Sequence, residues 1–139
     1  MLLAHNSLRL LYDEGSFLVV NTSAHPLDIS DVVFERTLPD GSQRRFEAKD
    51  WARRALEPPT HMIPQGCYQL VRAEANASQP STDVCPHFLG WFSTGLPRRY
   101  FWIADEEDAH FTVRLAGEDT PLGECAIDAG SCIIYLPED

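Results

Sequence analysis

The chain reads as all-β, an antiparallel sandwich or barrel with one short helical insert. Three observations carry this. Apolar residues recur with a period of two, turn signals rich in Gly, Pro, Asn and Asp separate the runs, and only one stretch has helical spacing. The 139 residues suit one domain spanning 1–139, and 44% hydrophobic with 23% charged residues is ordinary for a chain that buries a core. No apolar run approaches the roughly 18–20 residues that span a bilayer as a helix, so direct membrane insertion is not expected.

In Leu8-Arg9-Leu10-Leu11-Tyr12, residues Leu8, Leu10 and Tyr12 share a face, and Asp13-Glu14-Gly15-Ser16 turns the chain into Phe17-Leu18-Val19-Val20, a run buried on both sides. After the loop Asn21-Thr22-Ser23-Ala24-His25-Pro26, alternation fails between Ile29 and Val32, which predicts a bulge or kink at Ser30-Asp31. Leu38-Pro39-Asp40-Gly41-Ser42 predicts a turn joining Val32–Arg36 to a partner strand at Arg44–Ala48. Lys49–Leu56 is the helical piece, with Trp51 and Ala55 at i, i+4 and Pro58-Pro59 ending it. Gly66 precedes a strand at Cys67–Arg72. Further on, Phe88–Phe92 and Tyr100–Ile103 are aromatic strand candidates around the turn Gly95-Leu96-Pro97. His110–Leu115 alternates, which turns Phe111, Val113 and Leu115 inward, and Cys132–Leu136 closes the chain.

The formal net charge is −10, with 21 acidic against 11 basic residues. Residues 1–70 hold nine acidic and seven basic side chains (net −2), and residues 71–139 hold twelve and four (net −8). Nucleic-acid binders show a basic face because phosphate contacts supply most of their affinity. Nucleic acid is therefore not an expected partner, and the acidic second half favours a cationic or neutral one.

Four cysteines stand at 67, 85, 125 and 132, and four allow three pairings. Cys125 and Cys132 flank a turn signal, Asp128-Ala129-Gly130-Ser131, between two short β runs. A hairpin there brings two Cβ atoms near the ~3.8 Å of a disulfide if the residues sit opposite each other. Cys67 and Cys85 would then close the intervening loop, worth about 3 kcal/mol in the chain-entropy model. The alternatives are buried reduced thiols and a zinc site, for which Cys85-Pro86-His87 is the one close pair. Disulfides imply an oxidising, extracytoplasmic compartment, yet Met1–Asn6 has neither the basic nor the apolar region of a signal peptide. The two are reconciled if the segment is a domain of a longer exported protein; with reduced thiols a cytoplasmic location follows instead.

One order of motifs stands out: Val19-Val20-Asn21-Thr22-Ser23, then Leu27-Asp28-Ile29-Ser30-Asp31-Val32-Val33-Phe34, then Phe46-Glu47, then Ile63-Pro64-Gln65-Gly66-Cys67-Tyr68-Gln69-Leu70. Over residues 8–72 this resembles lamin-tail domains, departing at Asp31 and Val32, where that family has a glycine and an aromatic residue. The resemblance implies an immunoglobulin-like sandwich that acts as an attachment or recognition module rather than an enzyme. The second half, with its four-cysteine pattern, Trp91 and Trp102, is similar to tail modules of bacterial exported multidomain proteins, some joined to a Ser/Thr kinase.

Function is expected at loops, at an exposed sheet face or at an unpaired sheet edge, the last of which also suits a homo-oligomer. Trp91, Arg98, Arg99, Tyr100 and Trp102 are candidates for a stacking platform that takes a sugar or peptide, with the two arginines as polar partners, or else the rings are core. Within the run Asp105-Glu106-Glu107-Asp108, Asp105 and Glu107 are weak calcium candidates, since the run lacks the spacing of a calcium loop and also suits a solvated turn. The rival class is a small cysteine- or metal-dependent enzyme using one of His5, His25, His61, His87 or His110. No nucleophile-elbow, phosphate-loop or zinc-protease motif is present, and no cofactor is expected.

Overall fold

The computed structural model describes residues 6–53, 55, 57–75, 77–104 and 106–137. Among them, nine strands form two packed sheets: β1 (Ser7–Tyr12), β2 (Ser16–Asn21), β3 (Val32–Thr37), β4 (Gln43–Glu47), β5 (Gly66–Arg72), β6 (His87–Thr94), β7 (His110–Leu115), β8 (Gly123–Ala126) and β9 (Ser131–Tyr135). One sheet runs β6-β5-β2-β1-β9 and the other β4-β3-β7-β8. The fold is an all-β sandwich, as the period of two predicts.

Every strand contributes to one core between the sheets. Leu8, Leu10 and Tyr12 enter it from β1, Phe17 and Val19 from β2, Phe34 from β3, Phe46 from β4, Tyr68 and Leu70 from β5, Leu89 from β6, Phe111 and Val113 from β7, Cys125 from β8 and Ile134 from β9. Rings dominate its centre: Phe17 meets Phe34 and Phe101 edge-on at centroid distances of 4.9 and 4.8 Å, and Trp51 stacks on Tyr68 at 5.3 Å. These are the separations at which aromatic pairs add to simple area burial. Leu115 is half-buried against the edge of this core rather than inside it.

Both expected early hairpins form, β1 with β2 and β3 with β4. Asp13 shapes the first turn, its carboxylate accepting the backbone N–H groups of Gly15 and Ser16 at 2.9 Å. The expected kink is a turn in which Asp28 accepts from the Ser30 N–H and hydroxyl, and Val32 N–H donates to the Ile29 carbonyl at 3.0 Å. The helical insert is a 3₁₀ turn, Ala48–Arg53, that drops Trp51 fully into the core; Arg54 and Leu56 lie outside the described residues.

Three expectations are corrected. The sandwich is not wholly antiparallel, because β5 and β6 pair in parallel. A parallel pair needs a connection of a dozen or more residues, and the chain from Arg72 to His87 supplies it. Tyr100–Ile103 is not a strand: a 3₁₀ turn at Pro97–Arg99 leads into a turn at Phe101-Trp102. This connection carries the chain from one sheet to the other across the end of the core, so Tyr100, Phe101 and Trp102 are all buried in succession, where a strand would bury alternate residues. Finally, β8 and β9 are not a hairpin. They belong to different sheets and are joined by a 3₁₀ turn, Ile127–Ala129, that ends at Gly130 with φ 72°, a left-handed conformation suited to glycine.

Candidate functional site

Both anticipated cysteine pairings are present. Cys67 bonds Cys85 and Cys125 bonds Cys132, with Cα–Cα distances of 5.9 and 5.8 Å, inside the range disulfides require. No cysteine among the described residues is free, so none offers a thiolate nucleophile or a zinc ligand. The two bridges do different work. Cys125–Cys132 joins β8 to β9 and so staples the two sheets along one side. Cys67–Cys85 ties the β5–β6 crossover to the outer face of the five-stranded sheet, over a small second cluster of Leu18, Val20, Leu11 and Phe88.

That outer face is where the structure makes a concave site. Along β5, Tyr68 and Leu70 point into the core while Cys67, Gln69 and Val71 point outward. In the parallel register Phe88 lies beside Cys67, Trp91 beside Gln69, and Ser93 beside Val71. Close packing at the start of this pairing leaves no room for a side chain at Gly66. A β-bulge between Cys67 and Tyr68 brings Leu89 so close that a Cβ on Gly66 would stand 2.6 Å from its Cδ1 and 2.9 Å from the Ile63 carbonyl.

Above β5 and β6, the crossover residues Ala73, Ala77 and Gln79 wall a pocket of about 270 Å³ floored by Gln69 and Phe88, with the exposed Trp91 and Ser93 also lining it. Trp91 is 42% exposed on its rim, whereas Trp51 and Trp102 are buried at 0% and 1%. A broader groove over β1, β2 and β5 adjoins it and shares Gln69 and Ala77. Gln69 holds the wall in place: its Nε2 donates to the Ser78 carbonyl at 3.0 Å, while its backbone carbonyl accepts from Trp51 Nε1 at 2.9 Å. At the start of the crossover, Glu74 accepts from Arg72 at 2.9 Å and from the Tyr100 hydroxyl at 3.1 Å. Its own backbone amide and the Arg72 guanidinium hold its carboxyl below the usual range.

The remaining predicted site residues are not brought to this pocket. Tyr100 and Trp102 are core, 7% and 1% exposed, and therefore no platform; Trp102 Nε1 donates to the Asp13 carbonyl at 2.9 Å. Arg99 is spent on structure, lying 5.0 Å over the Phe92 ring and donating to Thr94 Oγ1. Arg98 is exposed on its 3₁₀ turn. Asp105 lies outside the described residues, and Glu107 is exposed. Among the described residues no group of three or more His, Cys, Asp or Glu is placed to hold a metal. The acidic run has a structural contact instead, since Glu106 pairs at 2.8 Å with Arg36, whose side chain is 2% exposed and also donates to the Ile103 carbonyl.

Sequence reasoning missed Gln69, Gln79 and Phe88 as a group. The available signal was Gln69 itself, an amide in the middle of a mostly apolar strand that is only 5% exposed because the crossover covers it.

The outer face of the four-stranded sheet is charged. Glu35 takes Arg114 at 3.1 Å and Arg45 at 3.7 Å, while Glu47 takes Arg45 at 2.9 Å and Lys49 at 3.0 Å. The Lys49 ammonium and the Arg45 guanidinium hold the Glu47 carboxyl below the usual range. Two core-facing phenols are pushed upward by burial: Tyr12, which donates to the Ala126 carbonyl, to about 12, and Tyr68, which donates to the Glu57 carbonyl, still higher.

No family model matches the chain, and no curated protein matches it significantly.

Proposed function

We propose that this protein is a non-catalytic recognition module, working in an oxidising extracytoplasmic setting, that binds its partner on the outer face of the five-stranded sheet. One observation carries the reading. Trp91 stands exposed on the rim of a pocket whose floor is sheet and whose wall is a crossover pinned by a disulfide. Ligand sites combine an apolar surface with a few polar groups on a rigid frame, and strands cross-linked to their covering loop make such a frame. The two disulfides support the compartment. The likeness of residues 8–72 to lamin-tail domains supports an immunoglobulin-like attachment role within a larger exported or membrane-anchored protein, with a Ser/Thr kinase among the domains such tails accompany.

The test is a solid-phase panel of glycans and peptides probed with the wild type and with Trp91→Ala. Retention of one class by the wild type, lost in a variant with an unchanged melting curve, is the expected result. Retention of nothing, or turnover of whatever is retained, overturns the reading.

A further inference from the structure

We infer that the Trp91 pocket takes a neutral saccharide, a single pyranose ring laid on the indole. This rests on the recognition reading above and names the ligand class for the same site.

The first argument is charge. The chain carries −10, and 23% of its residues are charged, yet among the described residues none of the side chains lining this pocket is ionisable. A charged ligand would leave its own charge uncompensated there, at a desolvation cost that nothing in the lining repays. The second argument is the pattern of the lining. Trp91 and Phe88 present ring surface, while Gln79 and Ser93, both exposed, present an amide and a hydroxyl at its margin. A pyranose is matched to that pattern, with C–H bonds on its faces and hydroxyls around its rim. The C–H hydrogens are weakly positive and pack on the negative face of an aromatic quadrupole, and the hydroxyls both donate and accept, as an amide and a Ser hydroxyl do. An apolar peptide side chain would make no use of those polar groups, which would simply stay hydrated. The third argument is size: at about 270 Å³ the pocket falls just below the usual range for drug-sized ligands. That suits one ring better than an extended chain.

The experiment titrates the intact protein with neutral oligosaccharides (glucose-, mannose- and N-acetylglucosamine-based), with a uronic acid oligomer, and with uncharged peptides, following the heat of binding by calorimetry for every variant and, for the wild type alone, tryptophan emission as well. Trp51 and Trp102 are buried, so the emission change reports Trp91. A saturable change with at least one neutral saccharide, insensitive to added salt and weakened about tenfold or more by Trp91→Ala, is the expected result. Gln79→Ala should weaken it less, and Trp91→Phe should retain a measurable part, because a ring face remains. Saturation by peptide but by no saccharide overturns this inference and leaves the recognition reading standing. Saturation by the uronic acid oligomer alone overturns it as well. No saturation by any ligand overturns both.

Discussion

On the outer face of the four-stranded sheet, Arg45, Glu35 and Arg114 make a row of paired charges across β4, β3 and β7. On the outer face of the five-stranded sheet, Leu18, Val20, Cys67 and Phe88 lie beneath a crossover that leaves Trp91 in the open, and Ile133 and Tyr135 are more than half exposed on β9. The first face is finished as a surface. Opposite charges stand across from one another, Glu35 and Glu47 each have cations, and water can cover the rest. The second is apolar enough to need a cover, and the chain supplies a partial one held by a covalent bond. Contiguous exposed apolar surface commonly marks a place of contact, so the contrast supports the five-stranded side as the binding face proposed above.

The strongest way to break this contrast is to release the cover. Replacing Cys67 and Cys85 by Ala should cost about 3 kcal/mol in denaturant melts and expose the apolar face to hydrophobic dyes, with loss of ligand binding. Replacing Cys125 and Cys132 should cost about 2.5 kcal/mol, with the Trp91 pocket and its binding retained; equal loss of binding in both pairs would erase the distinction between the two bridges. On the charged face, Glu35→Ala removes the carboxylate shared by Arg45 and Arg114 and should cost about 1 kcal/mol, an effect that shrinks in high salt and leaves binding untouched.

The two sides also separate by pH. Glu47 has its carboxyl held down by Lys49 and Arg45. The stability it contributes is therefore present above the ordinary carboxylate value of 4.5 and is lost as pH falls through its lower folded value. Charge-neutralising Lys49→Met should flatten that acid limb of the melting profile. Tyr12 behaves in the opposite sense: its phenol is raised from 10.0 to about 12, so unfolded chains ionise first and stability is lost as pH climbs from 10.0 toward 12. The part of the tyrosinate absorbance that a Tyr12→Phe variant lacks should then appear together with unfolding rather than before it. The smallest effect belongs to Gln79→Ala, which should change stability by no more than about 0.5 kcal/mol, because that side chain is exposed on the crossover.

Much of this architecture is written in local pattern. Leu8, Leu10 and Tyr12 alternate and fill the core, Asp13-Glu14-Gly15 announces its turn, and the spacing around Gly130 places Cys125 near Cys132. What local pattern lacks is direction and layer. Nothing in the composition of β5 and β6 says that they run parallel, since a parallel pair is defined by how the connection travels. Residues 125–132 fit a hairpin as well as they fit a passage between sheets, and only the opposing layers decide it. Tyr100-Phe101-Trp102 has strand-forming residue types, but a segment plugging the end of a core buries side chains in all directions. The pocket was illegible for the same reason: Gln69, Gln79 and Trp91 meet only because the crossover folds back over the sheet.

The Cys125–Cys132 bridge also gives the molecule a spine. Like a book bound along one margin, the sandwich cannot open where β8 and β9 are sewn together. Among the described residues the far margin has no disulfide, and its contacts are noncovalent, such as those of Phe46 with Trp51 and Phe92 at 4.9 and 5.4 Å. Partial opening should begin there, so amide exchange in β4 and β6 should outrun that in β8 and β9. Of the two, β4 should exchange faster, because β6 is tethered at its start by the Cys67–Cys85 bridge.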